Sequence, residues 1–116
     1  MMVLPNADMA VIPIEKLTHY SLNFIKDPDK ARVFSIALGY TQTNAHTLAK
    51  SIMRHITEYP AVYKGNNGYG DIYEIVMNLT GENGKTANVL TSWIIENGKH
   101  TPRMTNAYVT KKRSRR

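Results

Sequence analysis

Apolar and polar residues follow two different rhythms along this chain. Over residues 45–59 the apolar positions Ala45, Leu48, Ala49, Ile52, Met53, Ile56 and Tyr59 recur at steps of three and four, the period of an amphipathic helix. Asn44 offers an N-cap and Pro60 a stop, which predicts a helix over about residues 45–58. An earlier helix is predicted from Asp27, a capping residue, through Pro28 in the first turn and the apolar Ala31, Phe34, Ile36, Ala37 and Leu38, with Gly39 as its stop. Beyond Pro60 the rhythm shortens to strand alternation over residues 61–64, 71–79, 86–96 and 103–110, separated by GNNGYG (65–70), GENG (81–84) and Asn97-Gly98. Upstream, Pro5 and Pro13 make residues 1–14 an extended arm with room for one short strand. Residues 15–24 have the apolar content, in Leu17, Tyr20, Leu22 and Phe24, for one or two helical turns. The expected class is α+β, with N-terminal helices packed on one face of a C-terminal antiparallel sheet of three to four strands.

Alternation also assigns side chains to sheet faces. In the 71–79 strand Tyr73, Ile75, Met77 and Leu79 form the apolar series, opposite Ile72, Glu74, Val76 and Asn78. In the next, Val89, Thr91, Trp93 and Ile95 are bulkier than Leu90, Ser92 and Ile94. In the last, Met104 and Tyr108 are expected to point inward and Arg103, Thr105 and Ala107 outward. Helices on the bulky face would leave Glu74, Ser92, Arg103 and Thr105 together on the open one.

Composition narrows the chemistry. The 116 residues are 42% hydrophobic and contain no cysteine, which excludes disulfide scaffolds, Cys-based zinc modules and thiol nucleophiles. A chain of this length buries roughly two-thirds of its unfolded surface, enough for one domain without a covalent or metal staple. That domain is placed at residues 1–110, and the tail KKRSRR at 111–116 is expected to be disordered when free. There is no run of ~20 apolar residues and no basic-then-apolar leader at the start, so a soluble, cytoplasmic protein without a membrane partner is expected.

The net charge of +6 points to an anionic partner, but it is unevenly placed. Residues 1–60 carry six basic and five acidic side chains, residues 61–98 two and four, and residues 99–116 seven and none. The body is nearly neutral, and the tail supplies most of the excess.

The motifs of nucleotide-binding loops, serine hydrolases and HExxH metalloenzymes are absent. His19, His46, His55 and His100 show no ligand spacing, so neither a metal nor a cofactor is expected. The glycines of GNNGYG suit a hairpin better than a phosphate loop, because no helix follows them. What remains is the polar group on the sheet, which suits metal-independent cleavage of RNA. Glu74 or His19 would take the ribose 2′-OH proton, Arg103 with Lys16 or Lys30 would stabilise the phosphorane, and Thr105 would bond a phosphate oxygen. The same residues also suit a solvated sheet face with a cross-strand Glu–Arg pair. His46, Lys50 and Arg54, at four-residue steps, would follow a phosphate backbone or simply form a solvated helix face. Trp93 is either a core anchor or a base-stacking platform.

The segments LPNADMAVI (4–12), KLTHYSLN (16–23), KARVFSIALGY (30–40), GYGDIYEI (68–75), TSWII (91–95) and PRMTNAY (102–108) resemble, in this order, a small prokaryotic domain family of unknown function. Its members occur as stand-alone proteins, often encoded beside another small protein, and as C-terminal modules of phage head-morphogenesis proteins and polymorphic toxins. The family's order of elements is similar to barnase-like and colicin-type ribonucleases. The resemblance implies an RNase toxin, and the positions fitting its pattern are Lys16, Tyr20, Lys30, Gly70, Tyr73, Trp93, Arg103 and Thr105. His19 and Glu74 match it more weakly.

The expectation is therefore a ribonuclease toxin module of a toxin–antitoxin or toxin–immunity pair. Its partners would be RNA, whether tRNA, mRNA or ribosome-associated, and a cognate antitoxin or immunity protein. Lys16, His19, Glu74, Arg103 and Thr105 are the candidate catalytic residues, and Lys30, Tyr73, Trp93, Lys50 and Arg54 the candidate substrate-binding ones. A non-catalytic protein- or RNA-binding module, or an immunity or adaptor protein, is the competing expectation.

Overall fold

Asp27 starts the first long helix as its residue type predicts. In the computed structural model, which describes residues 2–114, its side chain accepts from the Lys30 backbone N–H at 3.3 Å. Helix α1 runs Pro28–Leu38 and stops at Gly39, whose φ of 74° is the left-handed geometry that glycine adopts at little cost. Ala31, Phe34 and Leu38 face inward, whereas Ile36 is turned to solvent.

Helix α2 spans Ala45–His55, three residues shorter than predicted, and its N-terminus is built differently. Asn44 turns back rather than capping α2. Its amide donates to the Gly39 carbonyl and its oxygen accepts from the Thr41 N–H, closing a capping box on the 3-10 turn Gln42–Asn44. Ala45, Leu48, Ser51 and Ile52 form the buried stripe of α2.

The second half is an antiparallel meander: β1 Ala61–Asn66, β2 Gly70–Thr80, β3 Thr86–Glu96 and β4 Arg103–Thr110, in the order β1-β2-β3-β4. α1 packs against β3 and β4, and α2 against β2, so one sheet face is covered by helices. Phe34, Leu38, Leu48 and Ile52 meet Ile75, Met77, Leu79, Val89, Trp93 and Met104 there in one continuous core. The α+β class, with helices preceding and covering the sheet, is thus the observed architecture.

Facing follows the expected alternation in β2, and in β3 with two exceptions: Leu90 and Ile94 are buried although they belong to the other face. Their register neighbours Val76 and Tyr108, and Ile72, flank them there. In β4 the alternation breaks. A bulge sets Ser92 opposite Asn106 and Trp93 opposite Met104, leaving Thr105 as the extra residue. Consequently Ala107, expected outward, is fully buried, and Tyr108, expected inward, sits beside Leu90 on the open face.

The N-terminal arm carries the anticipated strand pairing as a single parallel bridge. Val11 donates to the Pro102 carbonyl and accepts from Met104, both at 2.9 Å. The next segment is a π-helical turn, Leu17–Ser21, packed on β4. Leu17 and Leu22 are buried, but Tyr20 and Phe24, expected to add apolar contacts, are half-exposed. Ser21 ties the turn down by donating to the Ala107 carbonyl at 2.7 Å.

Candidate nucleic-acid interface on the open sheet face

Two of the candidate substrate-binding residues lie on the covered side of the sheet. Trp93 is completely buried, its indole N–H donating at 2.8 Å to Thr91, whose hydroxyl in turn donates to the Ile75 carbonyl at 3.0 Å. Tyr73 is 8% exposed, its ring centroid 5.3 Å from that of Tyr63. Neither offers a free ring face to a ligand, so both leave the set of candidate substrate-binding residues and belong to the core.

The five candidate catalytic residues do not converge. Arg103 is held by Glu96 at 3.3 Å, and Lys99 holds the other carboxylate oxygen at 3.4 Å. Lys99, and then Arg103, keep the Glu96 carboxyl below its ordinary range. In the register Arg103 stands opposite Ile94 while Glu74 stands opposite Ser92, two strands away and two residues along. That offset separates their backbones by about 10 Å or more. Thr105 spends its hydroxyl on the Ser92 carbonyl at 3.3 Å. Lys16 and His19 ride on or beside the π-helical turn next to β4, with the Lys16 ammonium 5.4 Å from the Tyr20 ring. Lys30 reaches Asp27 at 3.4 Å, the Asn106 amide oxygen at 3.2 Å and the Tyr108 ring at 5.3 Å.

Glu74 keeps different company. Register places Val62, Glu74, Ser92 and Asn106 in one row across the open face. At the β1 end of that row lies a cavity of about 240 Å³ lined by Pro60, Val62, Lys64, Glu74, Val76, Lys112 and Arg113. Lys64 enters it from a second irregularity, where the register shifts between Tyr63 and Gly65. The other two cations arrive because the chain folds back after β4: the Lys112 N–H donates to Thr110, and Asn88 donates to the Lys112 carbonyl at 2.9 Å. The result is one carboxylate among three cations with valine walls. That arrangement can accept a proton at Glu74 and hold an anion beside it.

Sequence reasoning missed Lys64, Lys112, Arg113 and Asn106. Lys64 alternates with Val62 on the exposed side of β1, a usable signal. The tail residues give none, because composition alone sets them apart from the domain. The expected disordered tail at 111–116 falls partly on residues 115–116, outside the described residues.

Residues 3–111 match the family model described as a domain of unknown function (DUF6883). The chain belongs to this family. No match is found among curated proteins or solved structures. The DUF6883 match covers every helix and strand and ends just before Lys112 and Arg113, so two cavity cations lie beyond it.

Lys50 and Arg54 of this DUF6883 domain are exposed on α2, on the helical side of the sheet and away from Glu74. With His46, Ala49 and Met53 they form one wall of a groove whose other wall is Ala10 and Ile12. Among the described residues no group of three or more His, Cys, Asp or Glu side chains is placed to hold a metal ion. No helix among them is long and apolar enough to cross a membrane.

Proposed function

We propose that this DUF6883 domain is a metal-independent ribonuclease toxin of a toxin–antitoxin or toxin–immunity pair, with the open sheet face as its RNA surface. The observation that carries the reading is the Glu74 cavity, in which a single carboxylate sits among Lys64, Lys112 and Arg113 on a face no helix covers. Glu74 takes the proton of a ribose 2′-OH, the 2′-oxygen attacks the adjacent phosphorus, and the bond from phosphorus to the 5′-oxygen breaks, that oxygen leaving with a proton from solvent. The products are a 2′,3′-cyclic phosphate and a 5′-hydroxyl. The three cations neutralise the non-bridging oxygens as charge builds on the phosphorane. The same cations repel a divalent ion, which fits chemistry without one. Arg103, held by Glu96, supports the end of the sheet in this scheme, and the phosphate role passes to the cavity cations.

Glu74→Gln is expected to lower cleavage of tRNA or a short RNA by about 10²–10⁴-fold, the usual worth of a general base. A 2′-deoxy substitution at the cut site is expected to block cleavage, and mass spectrometry to find cyclic phosphate ends. Purified protein that leaves tRNA, mRNA and ribosomes intact, with induction that does not slow growth, would overturn the reading.

A second reading, a non-catalytic binding module using the same face, is favoured by Val62, which is more than half exposed on the edge strand beside Glu74. RNA or protein binding without turnover, insensitive to Glu74→Gln, would select it.

A further inference from the structure

The groove between α2 and the N-terminal arm plays no part in the chemistry above. It has a cavity volume of about 470 Å³, and its lining divides cleanly into an apolar floor of Ala10, Ile12, Ala49 and Met53 and a basic rim of His46, Lys50 and Arg54, with no acidic side chain. The rim residues stand at four-residue steps on one helix, so their side chains leave the helix at intervals of about 6 Å over a total of about 12 Å. The opposite wall is fixed in place. Val11, between Ala10 and Ile12, is hydrogen-bonded through both its N–H and its carbonyl to the start of β4. A groove held this way costs little to order when a ligand enters.

We propose that this groove docks an acidic amphipathic helix of a partner protein, whose apolar side chains enter the floor while its carboxylates, repeating every three or four residues, pair with the rim. Charge complementarity selects that occupant. The chain's own tail is basic and is repelled by the rim, and this chain holds only nine acidic residues, spread along its length, so a second copy has no acidic row to offer. Single-stranded RNA finds no Phe, Tyr or Trp in the lining to stack on. An RNA backbone would also leave four apolar residues without a partner. A helix laid in a groove satisfies both halves of the lining at once.

The groove opens on the helical side of the sheet, and the Glu74 cavity on the other. A partner seated here therefore leaves the open face free, and both ligands are held together. The proposal stands whether or not the open face cuts RNA, because its test reads binding alone.

The probe is a fluorescein-labelled synthetic helix of about 14 residues, or roughly four turns, with leucine on one stripe and glutamate beside it. Binding to the full chain is followed by anisotropy at several salt concentrations. Lys50→Glu combined with Arg54→Glu, both exposed positions, is expected to weaken binding about tenfold or more. A version of the peptide with lysine in place of glutamate is expected to recover affinity for that double variant. A scrambled peptide of the same composition is expected to bind more weakly than the amphipathic one, and Lys64→Ala on the open face to leave the affinity unchanged. Equal binding of the scrambled peptide, or of the double variant with intact circular dichroism, overturns the proposal. So does a short single-stranded RNA whose affinity falls on charge reversal while that of the peptide does not.

Discussion

The two faces of the sheet obey different rules. On the covered face Ile75, Met77, Trp93 and Met104 are sealed against α1 and α2, and the polar groups enclosed there are partnered, as Thr91 is by Trp93 and Ile75. On the open face Glu74 and Ser92 stay partly exposed, and the charged groups around Glu74 are held by strand register and a returning tail. Packing fixes the first set and leaves it nothing to offer a ligand. Register fixes the second set without consuming it, which is why chemistry is placed on that side.

The largest effect expected from this contrast is a separation of stability from function. Trp93→Ala removes a fully buried side chain and the indole N–H that the Thr91 hydroxyl accepts, and is expected to cost about 3–5 kcal/mol. Glu74→Gln is expected to stay within about 0.5 kcal/mol of the parent, as surface changes do. Urea unfolding midpoints of the two variants measure the contrast. A Glu74→Gln midpoint that falls as far as that of Trp93→Ala would make Glu74 a structural residue and erase the distinction between the faces.

A second effect tests the covered side at its rim. Gly81 opens the β2–β3 turn directly against the last turn of α1, and a Cβ there would collide with the Leu38 backbone. Gly81→Ala is expected to cost about 1–3 kcal/mol, the range of an overpacked core. Gly84, with open space around its Cα but a φ of 79°, makes a useful control in the same turn because only backbone strain acts there. If both alanine variants unfold at the same denaturant concentration as the parent, the turn is not anchored on α1.

How far each face is legible in the sequence follows from the same physics. The covered face is written in periodicity: the apolar series of β2, the Asp27 cap, the Gly39 stop and the stripe of α2 are local signals that burial enforces. The open face depends on register between strands, which no single strand encodes. The bulge at Thr105 moves Ala107 inward and Tyr108 outward, and the irregularity beside Gly65 aims Lys64. A cross-strand Glu–Arg pair is anticipated in the sequence, but with Glu74 as the glutamate, because Glu96, seven residues upstream of Arg103, meets it only once β3 and β4 pair. Asn44 looks like a cap by residue type, yet the left-handed stop at Gly39 brings it a nearer partner.

Truncation after Thr110 sharpens the comparison from the open side. It removes Lys112 and Arg113 from the cavity but touches nothing in the covered core. Stability is expected to change by less than about 0.5 kcal/mol. RNA binding is expected to weaken, and the slope of log affinity against log salt to flatten by about 0.7 for each phosphate left unneutralised on a single strand. Cleavage of a short substrate is expected to fall as well. An unchanged salt slope would remove the tail from the RNA surface and leave Lys64 alone beside Glu74.

The smallest effect lies at the far end of the open face, where Glu96 sits between Lys99 and Arg103. Lys99 is the larger cause of its lowered pKa, so Lys99→Ala is expected to move the Glu96 carboxyl back toward the ordinary 4.5, followed by NMR titration of its side-chain carbon. A carboxyl whose folded pKa is depressed contributes stability above its unfolded value and loses it as pH falls through the folded one. Any stability from this cluster is therefore fully present at neutral pH and is lost only in acid, below 4.5. The groups are solvent-exposed, so added salt is expected to shrink the shift, as it does for surface pairs. A Glu96 titration indifferent to both Lys99→Ala and salt would mean that Arg103 alone sets it. The residue expected to clamp phosphate would then be firmly committed to holding β3 and β4 together.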